Sequence, residues 1–322
     1  MTSVRSSVDV IIPFLGSGRD LSALADRISQ LRLGPDDAVI IVDNTRTGVA
    51  QDLQLPTGAN VVLAPERQSS YYARNRAAAS GSGTWLVFLD ADVEPVPDLI
   101  DRYLAAPPAP RTAVLCGSVL DVSATNGERE SLASRYSRLR RLIDQANTLR
   151  MDRPYAKTAN CAVRRTAFQQ VGGFVDDIRS GGDADLCFRL LEGGWEIELR
   201  PDAAVEHRSR RTLHELLGQR ARHGSGAEWL EARYPGFVGP RLAVTVLARR
   251  VVKGAATSCV AVALRRDYDE ALIRLLDPVT NIAFDVGRRI PNALWREQVI
   301  RVFQLARFSR RPSGRWRGVR RV

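Results

Sequence analysis

The chain has 322 residues, 44% of them hydrophobic and 26% charged, with a mean hydropathy of -0.18, which excludes a disordered tract, a low-complexity fibre and a membrane-spanning bundle. The formal charge of +11 and pI near 10.2 raise a nucleic-acid reading, but all of the basic residues except Lys157 and Lys253 are arginines. With aromatics at 7% and no basic stretch interleaved with them, the charge reads as arginine-rich composition, and nucleic acid is not an expected partner.

The opening residues carry no signal-peptide apolar core, and Cys116, Cys161, Cys187 and Cys259 form no C-x-x-C pair, so a reduced, cytoplasmic setting is expected. Residues 8–13 are an almost unbroken apolar run, which predicts a strand buried on both faces; Leu21, Leu24, Ile28 and Leu31 then recur at helical spacing. Strand runs return at 38–43, 61–63 and 85–90, with a helix predicted over 69–80 that ends near Gly81. Strands alternating with helices imply βαβ units and a mostly parallel central sheet flanked by helices, an α/β fold.

Beyond Pro95, residues 105–110 read as a loop, 113–115 as a strand and 129–150 as one long charged helix over a site. Residues 158–165 read as strand into helix, 181–191 as a glycine loop opening a helix, and 196–199 as a short strand before Pro201 and His207. From about Thr212 the pattern is helical and Arg-rich, which sets a catalytic domain over 1–230 and a basic helical extension over 231–322. The most apolar late stretch, 242–264, is interrupted by Arg249, Arg250 and Lys253. Charges at a bilayer centre cost roughly 2.5–3.5 kcal/mol each, which argues against a span.

In an open parallel sheet, ligands bind outside the carboxyl ends of the strands. Asp43 and Asp90 each close a strand run, so both carboxylates are expected at one crevice. Asp90-Ala91-Asp92 stands between its strand and Glu94-Pro95, where the proline is expected to break any continuation. Oxygen ligands at this spacing suit Mg²⁺ or Mn²⁺, with substrate phosphates completing the octahedron, and so imply a diphosphate donor.

Val10-Ile11-Ile12-Pro13, Ile41-Val42-Asp43-Asn44, Ala73-Arg74-Asn75 and Phe88-Leu89-Asp90-Ala91-Asp92 follow one another in order. They continue through Ala159-Asn160-Cys161-Ala162-Val163-Arg164-Arg165, Val171-Gly172-Gly173-Phe174, Asp183-Ala184-Asp185-Leu186 and Val205-Glu206-His207. Over about residues 8–225 this series resembles the signatures of family 2 nucleotide-sugar glycosyltransferases with the GT-A fold. The resemblance implies an inverting transfer of a sugar, with a UDP-sugar favoured, onto a hydroxyl of a small molecule, glycan or lipid-linked acceptor.

It further implies that Pro13 and Asp43 meet the nucleobase end and that Arg74, Asp90 and Asp92 meet the rest of the donor. Asp92 and His207 would hold a Mn²⁺ or Mg²⁺ cofactor. Where relatives carry Gly-Glu-Asp-x-Asp-Leu, this chain has Gly181-Gly182-Asp183-Ala184-Asp185-Leu186. Asp183 is then the general base and Asp185 a second acceptor-side group, with Gly182 in place of the Glu marking an atypical acceptor side. Arg220 and Arg222 are similar to the Arg-rich helix and turn that closes such sites, and would meet the diphosphate or an acceptor phosphate.

The basic extension, with Arg249, Arg250, Arg265 and Arg266 and the series Arg307, Arg310, Arg311, Arg315, Arg317, Arg320 and Arg321, suits anionic headgroups on the inner face of the cell membrane, or a homodimer contact. Two other classes compete: a catalytically inactive glycan- or nucleotide-binding relative, and a nucleotidyltransferase. The second has no Gly-rich phosphate loop near the first strand.

Overall fold

The structure, a computed structural model, describes residues 5–50, 59–122, 130–209, 211–263 and 267–294. Its strands are β1 (Val8–Phe14), β2 (Ala38–Asp43), β3 (Ala59–Leu63), β4 (Trp85–Leu89), β5 (Val93–Pro95), β6 (Thr112–Asp121), β7 (Asn160–Arg164) and β8 (Glu196–His207). The helices are α1 (Gly18–Ile28), α2 (Ser70–Ser80), α3 (Leu99–Tyr103), α4 (Leu132–Leu139), α5 (Gln145–Leu149), α6 (Arg165–Gln170), α7 (Gly182–Glu192), α8 (Leu213–Arg233), α9 (Val244–Ala263) and α10 (Tyr268–Gly287).

The strands form one sheet in the order β3-β2-β1-β4-β7-β6-β8-β5. The first four are parallel, as are β6 and β8, while β7 runs antiparallel to both β4 and β6 and β5 runs antiparallel to β8. The carboxyl ends of β2, β4, β6 and β8 therefore share one edge, with Asp43, Asp121 and His207 as terminal residues and Asp90 next after β4. Apolar residues of β1, β2 and β4 feed clusters on both faces of the sheet, one holding Leu21 and Leu24 of α1, the other Ala73 and Ala77 of α2 with Leu186 and Leu190 of α7. Asp9, the one polar residue in the β1 run, is buried. It accepts from Gly83 N at 2.9 Å and pairs with Arg165, tying β1 to the α2–β4 turn and to α6.

Two expectations are corrected by the structure. The segment predicted as one long helix over 129–150 is two short helices, α4 and α5, because Arg141 between them takes a left-handed φ of 49° and ends the first. The strand before Pro201 does not end there; β8 runs on to His207, and its register against β6 shifts between Gly117 and Ser118, where the chain skips from Arg200 to Ala204. A bulge absorbs the proline that a regular ladder would reject. The buried Asn160 amide bridges the irregularity by donating to Ser118 O at 2.9 Å and Ala203 O at 2.8 Å. The strand before Asp90 ends at Leu89 and is not continued through Glu94-Pro95, which belongs to a separate edge strand, β5, where a missing N–H is tolerated.

Past α8 the described residues form the helices α9 and α10, while Arg265, Arg266 and the arginines from 307 onward lie outside the described residues. Helix α10 meets α8 backbone to backbone: a Cβ on Gly224 would overlap Phe284 O, and one on Gly287 would overlap Ala221 O. Leu216 of α8, Leu272 and Leu276 of α10 and Ala133 and Tyr136 of α4 close a small apolar cluster beside that crossing. Gly224→Ala therefore forces the two helices apart and should lower stability by about 1–3 kcal/mol, readable as a shift in the denaturant midpoint.

Candidate active site

One cavity of about 570 Å³ opens at the carboxyl edge of the sheet, lined from β4 and its turn by Asp90 and Asp92, from β8 by His207 and from α2 by Tyr71 and Arg74. Gly181 and Asp183 from the start of α7, Lys157 from the approach to β7, and Gln219, Arg220, Arg222 and His223 from α8 line it further.

Arg74 is placed by α2, which Ser69 caps by accepting from Tyr72 N. Its guanidinium is 2% exposed and donates to Asp90 Oδ1 at 2.6 Å, while its Nε has no hydrogen-bond partner. Burial raises the Asp90 pKa, with Arg74 opposing. Beyond Asp90, Asp92 Oδ2 lies 3.8 Å from His207 Nε2. On the other side of the imidazole, Nδ1 lies 3.7 Å from Oδ1 of Asp121, whose side chain is 6% exposed, and neither atom has a hydrogen-bond partner. Asp121 Oδ2 is held by Ser209 Oγ at 2.6 Å. Burial disfavours protonation of His207, but the Asp121 and Asp92 carboxylates outweigh it and raise the pKa.

Among the described residues no group of three or more His, Cys, Asp or Glu side chains forms a metal-holding set. Two protein ligands, Asp92 and His207, nonetheless fit a Mg²⁺ or Mn²⁺ ion whose other positions belong to substrate phosphates. A carboxylate behind Nδ1 is the arrangement that fixes a ligating imidazole with Nε2 turned to the ion. Asp121 is absent from the sequence-derived candidates, although its signal is the one that marked Asp43 and Asp90, an acidic residue closing an apolar strand.

Asp183 is the second residue of α7. Gly181 caps that helix with a φ of 90°, a left-handed conformation that glycine adopts without strain. Gly182 has a packing reason: a Cβ there would meet three Tyr71 ring atoms at 2.8 to 2.9 Å. The aromatic ring thus occupies the space a glutamate side chain would leave through, and the phenol hydroxyl lies 3.5 Å from Asp183 Oδ1. Burial raises the Asp183 pKa, opposed by Arg74 and by bonds to the helix-start amides, and burial also keeps the Tyr71 phenol protonated well above neutral pH. Gly182→Ala should lower the melting temperature, and adding Tyr71→Ala should recover part of that loss, because the two sites share one space.

Three predicted site residues do not reach the cavity. Asp43 is fully buried and closes its own loop, accepting from Thr45 N at 2.9 Å, Thr45 Oγ1 at 2.6 Å and Ala50 N at 2.8 Å. Pro13 lies on β1 in register with Val42, next to Asp43. Asp185, expected on the acceptor side, instead locks α7 in place. It accepts from Tyr234 Oη at 2.9 Å and Arg189 Nε at 2.9 Å and pairs with Arg233, and Arg189 in turn donates to Gly173 O. Four residues along α7 from a carboxylate is the spacing that brings Arg189 onto it.

Lys157, also outside the predicted set, donates to Leu142 O at 3.1 Å and Asp144 O at 3.0 Å, and burial lowers its pKa to about 8. Arg220 faces the cavity from α8 with its guanidinium over the Phe284 ring, and burial lowers its pKa as well.

A mostly parallel sheet with acidic and imidazole groups at its carboxyl edge, beside a buried arginine, is the GT-A arrangement of enzymes that use nucleotide-sugar donors. A family model described as glycosyl transferase family group 2 matches residues 85–275, and the chain belongs to that family. It is 28% identical over 240 residues to a pre-mycofactocin glycosyltransferase of Mycobacterium tuberculosis, an alignment that covers 72% of this chain and 49% of that protein. It is also 28% identical over 232 residues to the glycosyltransferase AglE of Haloferax volcanii, covering 70% and 74%. The chain thus spans about half the length of the mycobacterial relative. A mannosyltransferase from Pyrobaculum calidifontis, solved with GDP-Man and Mn²⁺, shares the fold with a TM-score of 0.60 at 20% identity, over 89% of this chain and 88% of that one.

Proposed function

We propose that the chain is an inverting glycosyltransferase that moves a sugar from a nucleoside-diphosphate donor, a UDP-sugar favoured, onto a hydroxyl of a small molecule, glycan or lipid-linked acceptor. The observation that carries this reading is the meeting of Asp183, the Arg74–Asp90 pair and Asp92 with His207 on one cavity. In this reading residues 1–230 form the catalytic unit and residues 231–322 an extension.

Asp92 and His207 hold the cation, Asp121 keeps His207 Nδ1 as the protonated nitrogen, and Asp90 lies toward the ribose. When bound, Mn²⁺ or Mg²⁺ supplies positive charge to the leaving diphosphate; the cation solved with the Pyrobaculum mannosyltransferase supports such an ion here. Arg74 holds Asp90 with one nitrogen and has its Nε left for a donor oxygen. Pro13 and Asp43 act at the nucleobase end through the loop that Asp43 closes. Arg220 and Arg222 offset phosphate charge from the α8 side.

Asp183 removes the proton from the acceptor hydroxyl as that oxygen attacks the anomeric carbon from the face opposite the diphosphate. Its raised pKa makes it a stronger base than an ordinary carboxylate, and Tyr71 holds its orientation. A single displacement inverts the anomeric centre. The test is nucleotide release from a panel of UDP-, GDP- and TDP-sugars with and without Mn²⁺; cation-dependent release from at least one donor is expected, and release from none overturns the reading.

A further inference from the structure

Helix α9 buries Leu247 but also turns three valines outward, the wrong way for a helix that faces water on its free side. Its packed side carries Leu247 and two small residues: Ser258 donates to Ala271 O of α10 at 2.8 Å, and a Cβ on Gly254 would lie 3.0 Å from Pro278 Cγ and overlap Arg274 O. Those contacts fix the rotation of α9 on α10. With 3.6 residues per turn, that rotation sends Val246, Val252 and Val260 outward, at 41%, 70% and 55% exposure. Arg249, Lys253 and Cys259 are exposed on the same side. An amphipathic surface helix ordinarily buries its valines and keeps an apolar stripe inward. No acidic residue occurs anywhere between Val244 and Ala263.

We propose that the outer face of α9 lies on an anionic lipid surface, with the valines at the level of the upper acyl chains and Arg249 and Lys253 on headgroup phosphates. Charge decides the occupant. A second copy packed about a two-fold axis would set this cationic face against itself, whereas an anionic bilayer meets both the valines and the cations. The helix lies along the surface rather than through it, since no helix among the described residues is long and apolar enough to cross a membrane. This inference is independent of the proposed chemistry, because none of these side chains lines the cavity.

Co-sedimentation of the full chain with vesicles of phosphatidylcholine, alone or with 30% phosphatidylglycerol, tests it. Binding to the anionic vesicles only, weakened by salt, is expected, with the bound-to-free ratio falling at least tenfold in Val252→Asp/Val260→Asp and in Arg249→Glu/Lys253→Glu. Both double variants change exposed residues, and unchanged melting and donor-binding curves would show that they fold. An environment-sensitive dye on Cys259 should shift to the blue on the same vesicles. No binding to anionic vesicles, binding that survives both double variants, or self-association through α9 with no vesicle binding would each overturn the proposal.

Discussion

Asp183→Asn is expected to lower kcat by about 10²–10⁴-fold while the KM for the donor stays within a few-fold, because the amide keeps the shape of the carboxylate and cannot take a proton. Asp185, two residues on, cannot substitute, because it is committed to Tyr234, Arg189 and Arg233. The pH dependence follows from the same site. Burial raises the Asp183 pKa despite Arg74, so the unprotonated base appears at a higher pH than for a free carboxylate. The acid limb of kcat/KM in the wild type therefore lies above the ordinary carboxylate range, with activity rising as pH rises through that limb. Asp183→Asn should remove this limb along with most of the rate, and a limb that stays in place would assign it to another group.

Asp92→Ala should abolish cation-dependent donor binding, measured as loss of bound Mn²⁺ by electron paramagnetic resonance in the presence of nucleoside diphosphate. In the proposed site Asp92 and His207 are the two protein ligands among the described residues, and removing Asp92 would leave His207 alone with the phosphates. Asp121→Asn separates positioning from ligation. It keeps Asp92 and His207 but removes the charge 3.7 Å behind Nδ1, and should weaken Mn²⁺ by about 10–100-fold. Equal Mn²⁺ affinity in the wild type, Asp92→Ala and Asp121→Asn would place the ion elsewhere.

The strand runs ending at Asp43 and Asp90, the helix carrying Arg74 and the glycine start of α7 are legible in the sequence because each depends on local periodicity and turn chemistry. The order of the motifs also conveys the family. Other features depend on pairing between distant segments. That β7 enters antiparallel, that a bulge carries β8 past Pro201 to His207, and that Asp121 ends up behind that histidine all require the register of β6 against β8. Asp185 has the same residue type and local setting as Asp183, yet its partner Tyr234 lies 49 positions away, so only the fold distinguishes the lock from the proposed base. Gly182 reads as a loss in the sequence and becomes a fit once the Tyr71 ring is seen against it. The outward valines of α9 were likewise hidden, since which face is free depends on where α10 packs.

The most direct measurement of single displacement with Asp183 as the base is the anomeric configuration of the first-formed product, followed by proton nuclear magnetic resonance with the donor that gives the fastest cation-dependent release. A product of configuration opposite to the donor sugar, formed by the wild type and lost in Asp183→Asn, is predicted. A product that retains the donor configuration, or an inverted one formed as fast by Asp183→Asn, would contradict it.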